Sequence, residues 1–303
     1  MTLTDTLRAH LPTFWWYGRG ILILAVSLWI GFCGILFFNQ RALLYPSPVV
    51  GAESERQSAP GQGFSPYAGG QDALAPLDGN GVRAWASQDP QTPKILGTVI
   101  LFHGNGTTAL QRAVYAQALR PLGYRVILAE YPGYGSFPGV ASEASVARAN
   151  NELIKAVERD FPGPTFAMGE SLGSAAAARA VKDNPGVFSG VFLITPWESL
   201  KAVASQHYPW VPVAYLLRER HDSAAALSSF RGPVLIVAGD EDDVIPASHA
   251  RALYDGLPTP AKTFTLLHGG HTTWGQALPQ GFWAKATAEA FGRGGPTSAP
   301  AHS

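Results

Sequence analysis

The sequence has one cysteine, few charged residues and no excess of charge of either sign. Cys33 is the only cysteine among 303 residues, which excludes a disulfide framework, a cysteine-rich zinc site and a CxxC redox pair. Lysine plus arginine number 22 and aspartate plus glutamate also number 22, so the formal net charge is zero. A nucleic-acid-binding protein would normally have a basic surplus or a basic stripe, and the sequence has neither.

The shortage of charge is itself informative. Charged residues make up 15% of the chain, whereas an average soluble domain has about 25%. Hydrophobic residues reach 46%, which excludes an intrinsically disordered chain. These two proportions together predict that part of the chain lies in lipid.

The uncharged stretch between Arg19 and Arg41 predicts a membrane-spanning helix. Residues 20–38 form a continuous apolar run, and a helix of that length spans about 28 Å, close to the thickness of the hydrocarbon core. The aromatic residues at 14–17 precede it, as an interfacial aromatic belt would. A core helix would have a polar face, and a signal peptide would have a shorter apolar run and a small-residue cleavage site. We therefore predict an uncleaved anchor over residues 1–45.

The orientation of this anchor is left open by the flanking charges. Two arginines precede the span and two follow it: Arg8, Arg19, Arg41 and Arg56. The positive-inside count is therefore tied, and the nearby glutamates contribute little to that rule. We favour a single-pass signal anchor with the C-terminal domain outside the cytoplasm.

After the anchor, Pro, Gly, Ser and Gln dominate residues 46–72, which predicts a linker with little regular structure. Short apolar runs without polar alternation then indicate strands buried on both faces. They are residues 98–102, 125–129, 165–168, 191–194 and 234–238, with 262–267 as one more strand. Helical stretches separate them at 109–119, 142–159, 174–183, 248–257 and 282–291. This alternation predicts an α/β domain over residues 73–292, with a mostly parallel sheet and helices on both faces.

Three further segments complete the expected organisation. Residues 196–231 form a connection too long for a simple loop, which predicts a small helical cap. Asp78–Gly81 between the short runs 74–76 and 82–86 predicts a hairpin. Residues 293–303 are small and polar and are predicted to form a flexible tail.

The motif with the strongest chemical content is Gly169-Glu-Ser171-Leu-Gly173. An apolar strand ends at Met168 and an alanine-rich helix follows from Ser174, which is the strand–turn–helix of a nucleophile elbow. Glycines two positions on each side of the serine permit the sharp turn. Ser171 is therefore the candidate nucleophile, the alternative being a serine in an ordinary loop.

Acyl transfer also needs hydrogen-bond donors for the developing oxyanion. The segment His103-Gly-Asn-Gly106 ends an earlier strand, and the backbone N–H groups of Asn105 and Leu172 are the predicted donors. His103 itself is interpreted as structural, because its position at the strand end points it beneath the loop.

The acid and the base are expected further along the chain, in the order Ser, Asp, His. In the acidic loop 239–246, Asp242 is the favoured acid, Asp240 is second and Asp243 third. His271, after two glycines and before the final helix, is favoured as the base over His268. No third ligand or HExxH pattern supports a metal site at these histidines, and neither a metal nor an organic cofactor is predicted.

Further motifs accompany these candidates: Gln40-Arg-Ala-Leu-Leu-Tyr-Pro46, Glu130-Tyr-Pro-Gly-Tyr-Gly135, Tyr208-Pro-Trp-Val-Pro-Val with Arg220-His-Asp-Ser223, and Gly270-His-Thr-Thr-Trp274. From about Gln40 to Phe291 the chain resembles the α/β-hydrolase superfamily. More narrowly, it resembles the membrane-anchored serine-hydrolase branch, which includes acylglycerol and lysophospholipid lipases and protein depalmitoylases. The resemblance implies that nucleophile, acid and base are Ser171, Asp242 and His271. The extra acidity at residues 240–243 departs from the family pattern.

The sequence therefore predicts a membrane-tethered serine hydrolase that cleaves carboxylic esters or thioesters through an acyl-enzyme on Ser171. The anchor places the site near lipid, so the expected partners are a small-molecule or lipid-like acyl substrate and the membrane, not nucleic acid. Two alternatives remain: a serine peptidase of the same fold, and a non-catalytic anchored scaffold that binds partners.

Overall fold

The protein is described by a computed structural model over residues 3–67, 83–90, 92, 94–276 and 278–292, without the side chains of residues 3–14. The predicted hairpin turn at Asp78–Gly81 and the predicted tail at 293–303 lie outside the described residues.

The N-terminal segment is a single long helix, α1 (Leu3–Leu44). Its part from Trp15 to Leu44 is long and apolar enough to cross a membrane, and it contains the predicted span 20–38. Most side chains of the span are exposed; Trp16, for example, is 82% exposed. A row of exposed apolar side chains on this scale distinguishes α1 from a core helix of a soluble domain.

In the described part of the chain, eight strands form one sheet in the order β1-β2-β4-β3-β5-β6-β7-β8. The first two strands pair antiparallel, β2 also pairs antiparallel with β4, and all remaining pairs are parallel. The predicted fold class is therefore confirmed. The strands are β1 (Phe64–Pro66), β2 (Ala84–Ser87), β3 (Gly97–Phe102), β4 (Tyr124–Ala129), β5 (Thr165–Glu170), β6 (Phe188–Ile194), β7 (Val234–Gly239) and β8 (Lys262–Leu267).

Helices cover both faces of this sheet. Ile100 and Phe102 of β3 belong to one apolar core, whereas Val99 and Leu101 belong to the other, since successive side chains of a strand point to opposite faces. After α1 the helices are α2 (Ala52–Ser58), α3 (Val114–Leu119), α4 (Glu143–Asp160), α5 (Leu172–Asp183), α6 (Leu200–His207), α7 (Val213–Leu216), α8 (Ser223–Leu227), α9 (Ala247–Gly256) and α10 (Phe282–Phe291). Helices α4, α5 and α9 contribute to the first core, and α3 and α10 contribute to the second. The absence of polar alternation in the strands follows from this double burial.

Residues 46–67, the described part of the segment 46–72, differ from the expected linker of little regular structure. Residues 52–58 form α2, and β1 adds an antiparallel edge strand to the sheet. Phe64 is buried in the core, which explains why a segment rich in Gly, Pro and Ser is held in place. Such a short strand with a proline is typical of a sheet edge. Three residues are too few for a strand to be predicted from the sequence pattern. The predicted start of the α/β domain at residue 73 stays a prediction.

The predicted cap lies between β6 and β7 and contains α6, α7 and α8. Polar side chains at the end of α1 bind it directly. Gln40 donates to the carbonyl of Leu216 and accepts from the N–H of Arg218, at 3.2 and 2.7 Å. Arg41 forms an ion pair of 2.6 Å with the buried carboxylate of Glu219. Helix α1 and the predicted cap are therefore joined by side chains within a few residues of the predicted span.

A buried histidine lies behind this joint. The hydroxyl of Tyr45 lies 2.6 Å from Nε2 of His221, and the carboxylates of Glu219 and Glu143 are nearby. Burial is the largest influence on the pKa of His221 and lowers it, against the raising effect of the Glu143 and Glu219 carboxylates. The folded protein therefore holds a neutral ring beside the Tyr45 hydroxyl.

A first prediction concerns the packing of β6 against α10. A Cβ added at Gly190 would overlap the carbonyl oxygen of Ala290, whereas a Cβ at Gly256 would meet open space. We expect Gly190→Ala to destabilise the protein by about 1–3 kcal/mol, because backbone atoms must move apart. Gly256→Ala should leave the free energy of unfolding nearly unchanged. Denaturant unfolding of both variants in detergent tests this, and equal stabilities would contradict the packing.

A second prediction concerns pH. Because the folded pKa of His221 is lowered, its contribution to stability is complete above the unfolded pKa of about 6.5 and is lost as the pH falls below it. We expect the free energy of unfolding to fall between pH 7 and pH 5, and to fall less steeply in His221→Asn. Asparagine tolerates the positive φ of 39° at this position. An unchanged slope in the variant would show that His221 is not the group responsible.

Candidate active site

Ser171 lies on a sharp turn between β5 and α5. Its backbone has φ 54° and ψ −122°, a conformation that a residue with a side chain rarely adopts. Its N–H donates to the carbonyl of Ile194 on the neighbouring strand at 2.9 Å, which holds the turn in place. Strain of this kind costs about 1–3 kcal/mol and is typical of functional positions.

The two glycines of the motif are needed for space. A Cβ at Gly169 would overlap the carbonyl oxygen of Gly173, and a Cβ at Gly173 would overlap that of Phe102. Neither glycine is among the residues with positive φ. The motif predicted a role for them in the sharp turn, and the structure shows that they allow α5 to approach β3 and β5 closely.

The structure brings the three candidate side chains together. Nε2 of His271 lies 2.9 Å from Oγ of Ser171, and Nδ1 lies 2.7 Å from Oδ2 of Asp242. The other carboxylate oxygen of Asp242 accepts the N–H groups of Val244 and Ile245 at 3.0 and 2.7 Å. The Asp242 side chain is 1% exposed and that of His271 is 16% exposed. A carboxylate held in this way favours the tautomer in which Nδ1 carries the proton and Nε2 accepts from the serine.

The alternative acids and the alternative base lie elsewhere. Asp240 accepts the N–H of Gly269 at 3.0 Å and pairs with His268 at 3.3 Å, both on the exposed side of the loop. The hydrogen bond from Gly269, and secondarily His268, lowers the pKa of the Asp240 carboxyl. Asp243 is exposed. Only Asp242, among the residues considered for this role, reaches His271.

Two groups of potential metal ligands occur in the described chain, one formed by Glu143, Glu219 and His221 and one by Asp240, Glu241 and His268. In the first, Glu219 is already occupied by Arg41 and by the N–H of Glu143. The second is exposed, and such acidic surface groups are common without an ion. His271 is in neither group, since both of its ring nitrogens face Ser171 and Asp242.

The predicted oxyanion donors belong to the two segments that approach each other at Ser171. Leu172 is the first residue of α5, where backbone N–H groups lack partners within the helix. Asn105 lies in the loop after β3, which is adjacent and parallel to β5, so both loops leave the same edge of the sheet. Gly104 approaches Ser171 so closely that an added Cβ would lie 3.4 Å from the serine Cβ. The role of these N–H groups stays a prediction.

His103 lies beneath this loop, as interpreted from the sequence. Its ring is fully buried, Nε2 lies 2.8 Å from the carboxylate of Glu130, and Nδ1 lies 2.8 Å from the carbonyl of Gly104. The ring stacks on Tyr131 with a centroid distance of 4.1 Å. The second carboxylate oxygen of Glu130 accepts the N–H of Ala109. His103 and Glu130 thus fix the loop that carries Asn105.

One ion pair beside the nucleophile was not predicted from the sequence. Glu170, directly before Ser171, pairs with Arg112 at 2.7 Å. The burial of Tyr115 next to this carboxylate raises the pKa of the tyrosine. The available signal was that an acidic residue, Glu170, occupies the variable position of the serine motif. Its partner Arg112 is 58 positions away in the sequence and becomes a neighbour only in the folded chain.

Comparisons with known proteins agree with this architecture. A family model described as serine aminopeptidase, S33, matches residues 93–222. The uncharacterized protein Rv2307c of Mycobacterium tuberculosis is 32% identical over 262 residues, which cover 84% of this chain and 88% of that protein. The alpha/beta hydrolase domain-containing protein WAV2 of Arabidopsis thaliana is 24% identical over 293 residues, covering 86% of this chain and 91% of its own. A monoacylglycerol lipase structure from Paleococcus ferrophilus has a TM-score of 0.51 at 20% identity, covering 68% of this chain and 95% of that one, and shows similarity of fold.

A third prediction separates the acidic residues. We expect Asp242→Asn to slow covalent labelling of Ser171 by a fluorophosphonate by about 10³–10⁴-fold, because the imidazole loses its tautomer and its counter-charge. Asp240→Asn, a matched change in the same loop, should alter the rate less than about threefold, because Asp240 contacts neither Ser171 nor His271. Labelling rates from intact-protein mass spectrometry test this, and comparable losses in both variants would contradict the assignment.

Proposed function

Because the chain belongs to the α/β-hydrolase superfamily, we propose that it is a membrane-tethered serine hydrolase that cleaves carboxylic esters or thioesters. The observation that carries the proposal is the chain of hydrogen bonds from Asp242 through His271 to Ser171. A serine hydroxyl is a weak nucleophile until an adjacent base accepts its proton, and the geometry supplies that base.

The reaction follows from these contacts. Oγ of Ser171 attacks the acyl carbonyl while Nε2 of His271 takes its proton, and Asp242 stabilises the imidazolium that results. The N–H groups of Asn105 and Leu172 bind the oxyanion of the tetrahedral intermediate. The imidazolium then protonates the departing alcohol or thiol, which leaves the acyl group on Ser171. A water molecule, deprotonated by His271, attacks the acyl-enzyme and releases the carboxylic acid and the free serine.

The apolar helix supports a lipid-like acyl substrate. A span joined within a few residues to the cap keeps the site close to the bilayer, where such substrates are concentrated. The fold shared with a monoacylglycerol lipase is compatible with this substrate class. We also propose that the helix is a single-pass signal anchor, with the catalytic domain outside the cytoplasm.

One observation favours a second candidate, a serine peptidase of the same fold. The family model that matches residues 93–222 is described as a serine aminopeptidase. Peptide hydrolysis would use the same three side chains, with His271 protonating an amine instead of an alcohol. The remaining alternative, a non-catalytic scaffold, would have no need of an aligned nucleophile, base and acid.

A fourth prediction tests the proposal. The full chain in detergent should react with a fluorophosphonate probe, and Ser171→Ala should remain unlabelled while keeping its fold, since it removes only the nucleophile. Hydrolysis of acyl esters, acyl thioesters and short peptides by both proteins then separates the candidates. We expect hydrolysis of esters or thioesters, with a loss of at least about 10⁴-fold in Ser171→Ala.

Failure of the folded wild-type protein to react with the probe would contradict the mechanism, as would equal labelling of the variant. Cleavage of peptides in preference to esters would support the peptidase instead.

A further inference from the structure

The cap contacts the membrane helix well inside its apolar part. Nε1 of Trp29 donates to the carbonyl of Trp210 at 3.0 Å, and the rings of Phe32 and Trp210 lie 4.8 Å apart. Both α1 residues belong to the predicted span 20–38. A cap that touches these residues cannot lie wholly outside a bilayer that surrounds the same stretch of helix.

The depth of this contact follows from helix geometry. If Tyr17, the last residue of the aromatic belt, marks one edge of a hydrocarbon core about 30 Å thick, an upright helix reaches the other edge near Phe37. At about 1.5 Å per residue, Phe32 then lies about 8 Å inside that edge and Trp29 about 12 Å inside it. Amphipathic surfaces that bind membranes reach about 5–10 Å into the same region.

The joint described above prevents the cap from lifting away. Gln40 and Arg41 hold the chain at Leu216–Glu219, while Trp29 and Phe32 hold it at Trp210. The two sets of contacts lie at least eight residues apart along α1, about 12 Å, so the cap follows the helix in position and tilt.

The exposed side chains of the cap suit the membrane interface at the edge of the hydrocarbon core. Trp210 is 53% exposed and Tyr215 is 89% exposed, and aromatic residues of this kind prefer the membrane interface. The guanidinium of Arg218 lies 5.4 Å from the centre of the Phe37 ring, at the calculated edge, where a long basic side chain can reach lipid phosphates.

An apolar groove of about 260 Å³ lies between the anchor and the cap at this level. Side chains from α1 line one wall and side chains from the cap line the other: Leu36, Phe37 and Leu43 against Val203, Ala204 and Val213. His207 also lines the groove, and its Nε2 lies 2.9 Å from the carbonyl of Val244. The N–H of Val244 donates to Asp242, so a residue of the groove wall contacts the loop that carries the acid.

We propose that the cap segment Tyr208–Leu217 is immersed in the leaflet on its side of the membrane, and that the groove between it and α1 takes up the acyl chain of a bilayer lipid laterally. The occupant is an acyl chain because the lining is mostly apolar and one wall begins at Leu36 and Phe37, at the calculated edge of the hydrocarbon core. That this chain belongs to a substrate rests on the proposed function.

The immersion is tested with a nitroxide label on the full chain in phosphatidylcholine vesicles. The background is Cys33→Ser with Ser171→Ala. Tyr215→Cys places the label on the cap, and Ile95→Cys places it just before β3, at the amino ends of the parallel strands and therefore at the end of the sheet opposite the cap. We expect the label at 215 to collide with oxygen and to be shielded from a water-soluble nickel complex, and the label at 95 to show the reverse. Equal access of the nickel complex at both positions would overturn the immersion.

The groove is tested with phosphatidylcholine that carries a photoreactive diazirine at the end of an acyl chain. In a Ser171→Ala background, crosslinks should map to residues 200–217. Ala204→Trp fills the groove and should reduce the crosslinking yield about tenfold, because several methylenes of the acyl chain can no longer be buried there. Ala202→Trp on the same helix, outside the groove lining, should leave the yield unchanged. Equal yields in the two folded variants would overturn the acyl site.

Because both measurements use Ser171→Ala, they do not depend on hydrolysis. An inactive wild-type protein would contradict the proposed function while leaving these results readable, and an active protein with an exposed cap would contradict only the inference made here.

Discussion

The close approach of α5 to the sheet at Ser171 is the constraint on which the candidate site depends. Only residues without a Cβ fit at 169 and 173, because the first turn of the helix lies directly against the backbone of β3 and β5. At the turn that makes this contact Ser171 has a positive φ of 54°, and its Oγ lies 2.9 Å from Nε2 of His271. It also leaves the first N–H groups of α5 available beside that hydroxyl, so one packing arrangement positions the nucleophile and a predicted oxyanion donor together.

The remaining members of the site are held by hydrogen bonds within their own loops. Two backbone N–H groups fix one oxygen of Asp242, which leaves the other directed at His271. His103 and Glu130 support the loop with Asn105 from below in an environment closed to water. Buried polar groups of this kind are costly unless all are paired, and their pairing gives a rigid site rather than an adaptable one.

The sequence predicted those elements whose signal is local. The apolar runs predicted the parallel strands, because burial on both faces removes polar alternation, and Ser171 stood out because its motif joins a strand to a helix. The edge strand Phe64–Pro66 and the pair Arg112–Glu170 were not predicted. Three residues in a segment rich in glycine and proline have no readable period, and a salt bridge across 58 residues leaves no trace in either neighbourhood.

The sequence by itself therefore determined the fold class, an apolar segment long enough to span a membrane, and a short list of residues for each chemical role. Only the tertiary structure decided which acid in the crowded loop 239–246 faces His271, because the loop turns Asp242 inward and Asp240 toward solvent. It also decided what the uncharged stretch of the sequence packs against. Helix α1, which contains the uncharged stretch, also forms one wall of a groove with the cap, a pairing that no local pattern encodes because the two surfaces lie more than 150 residues apart.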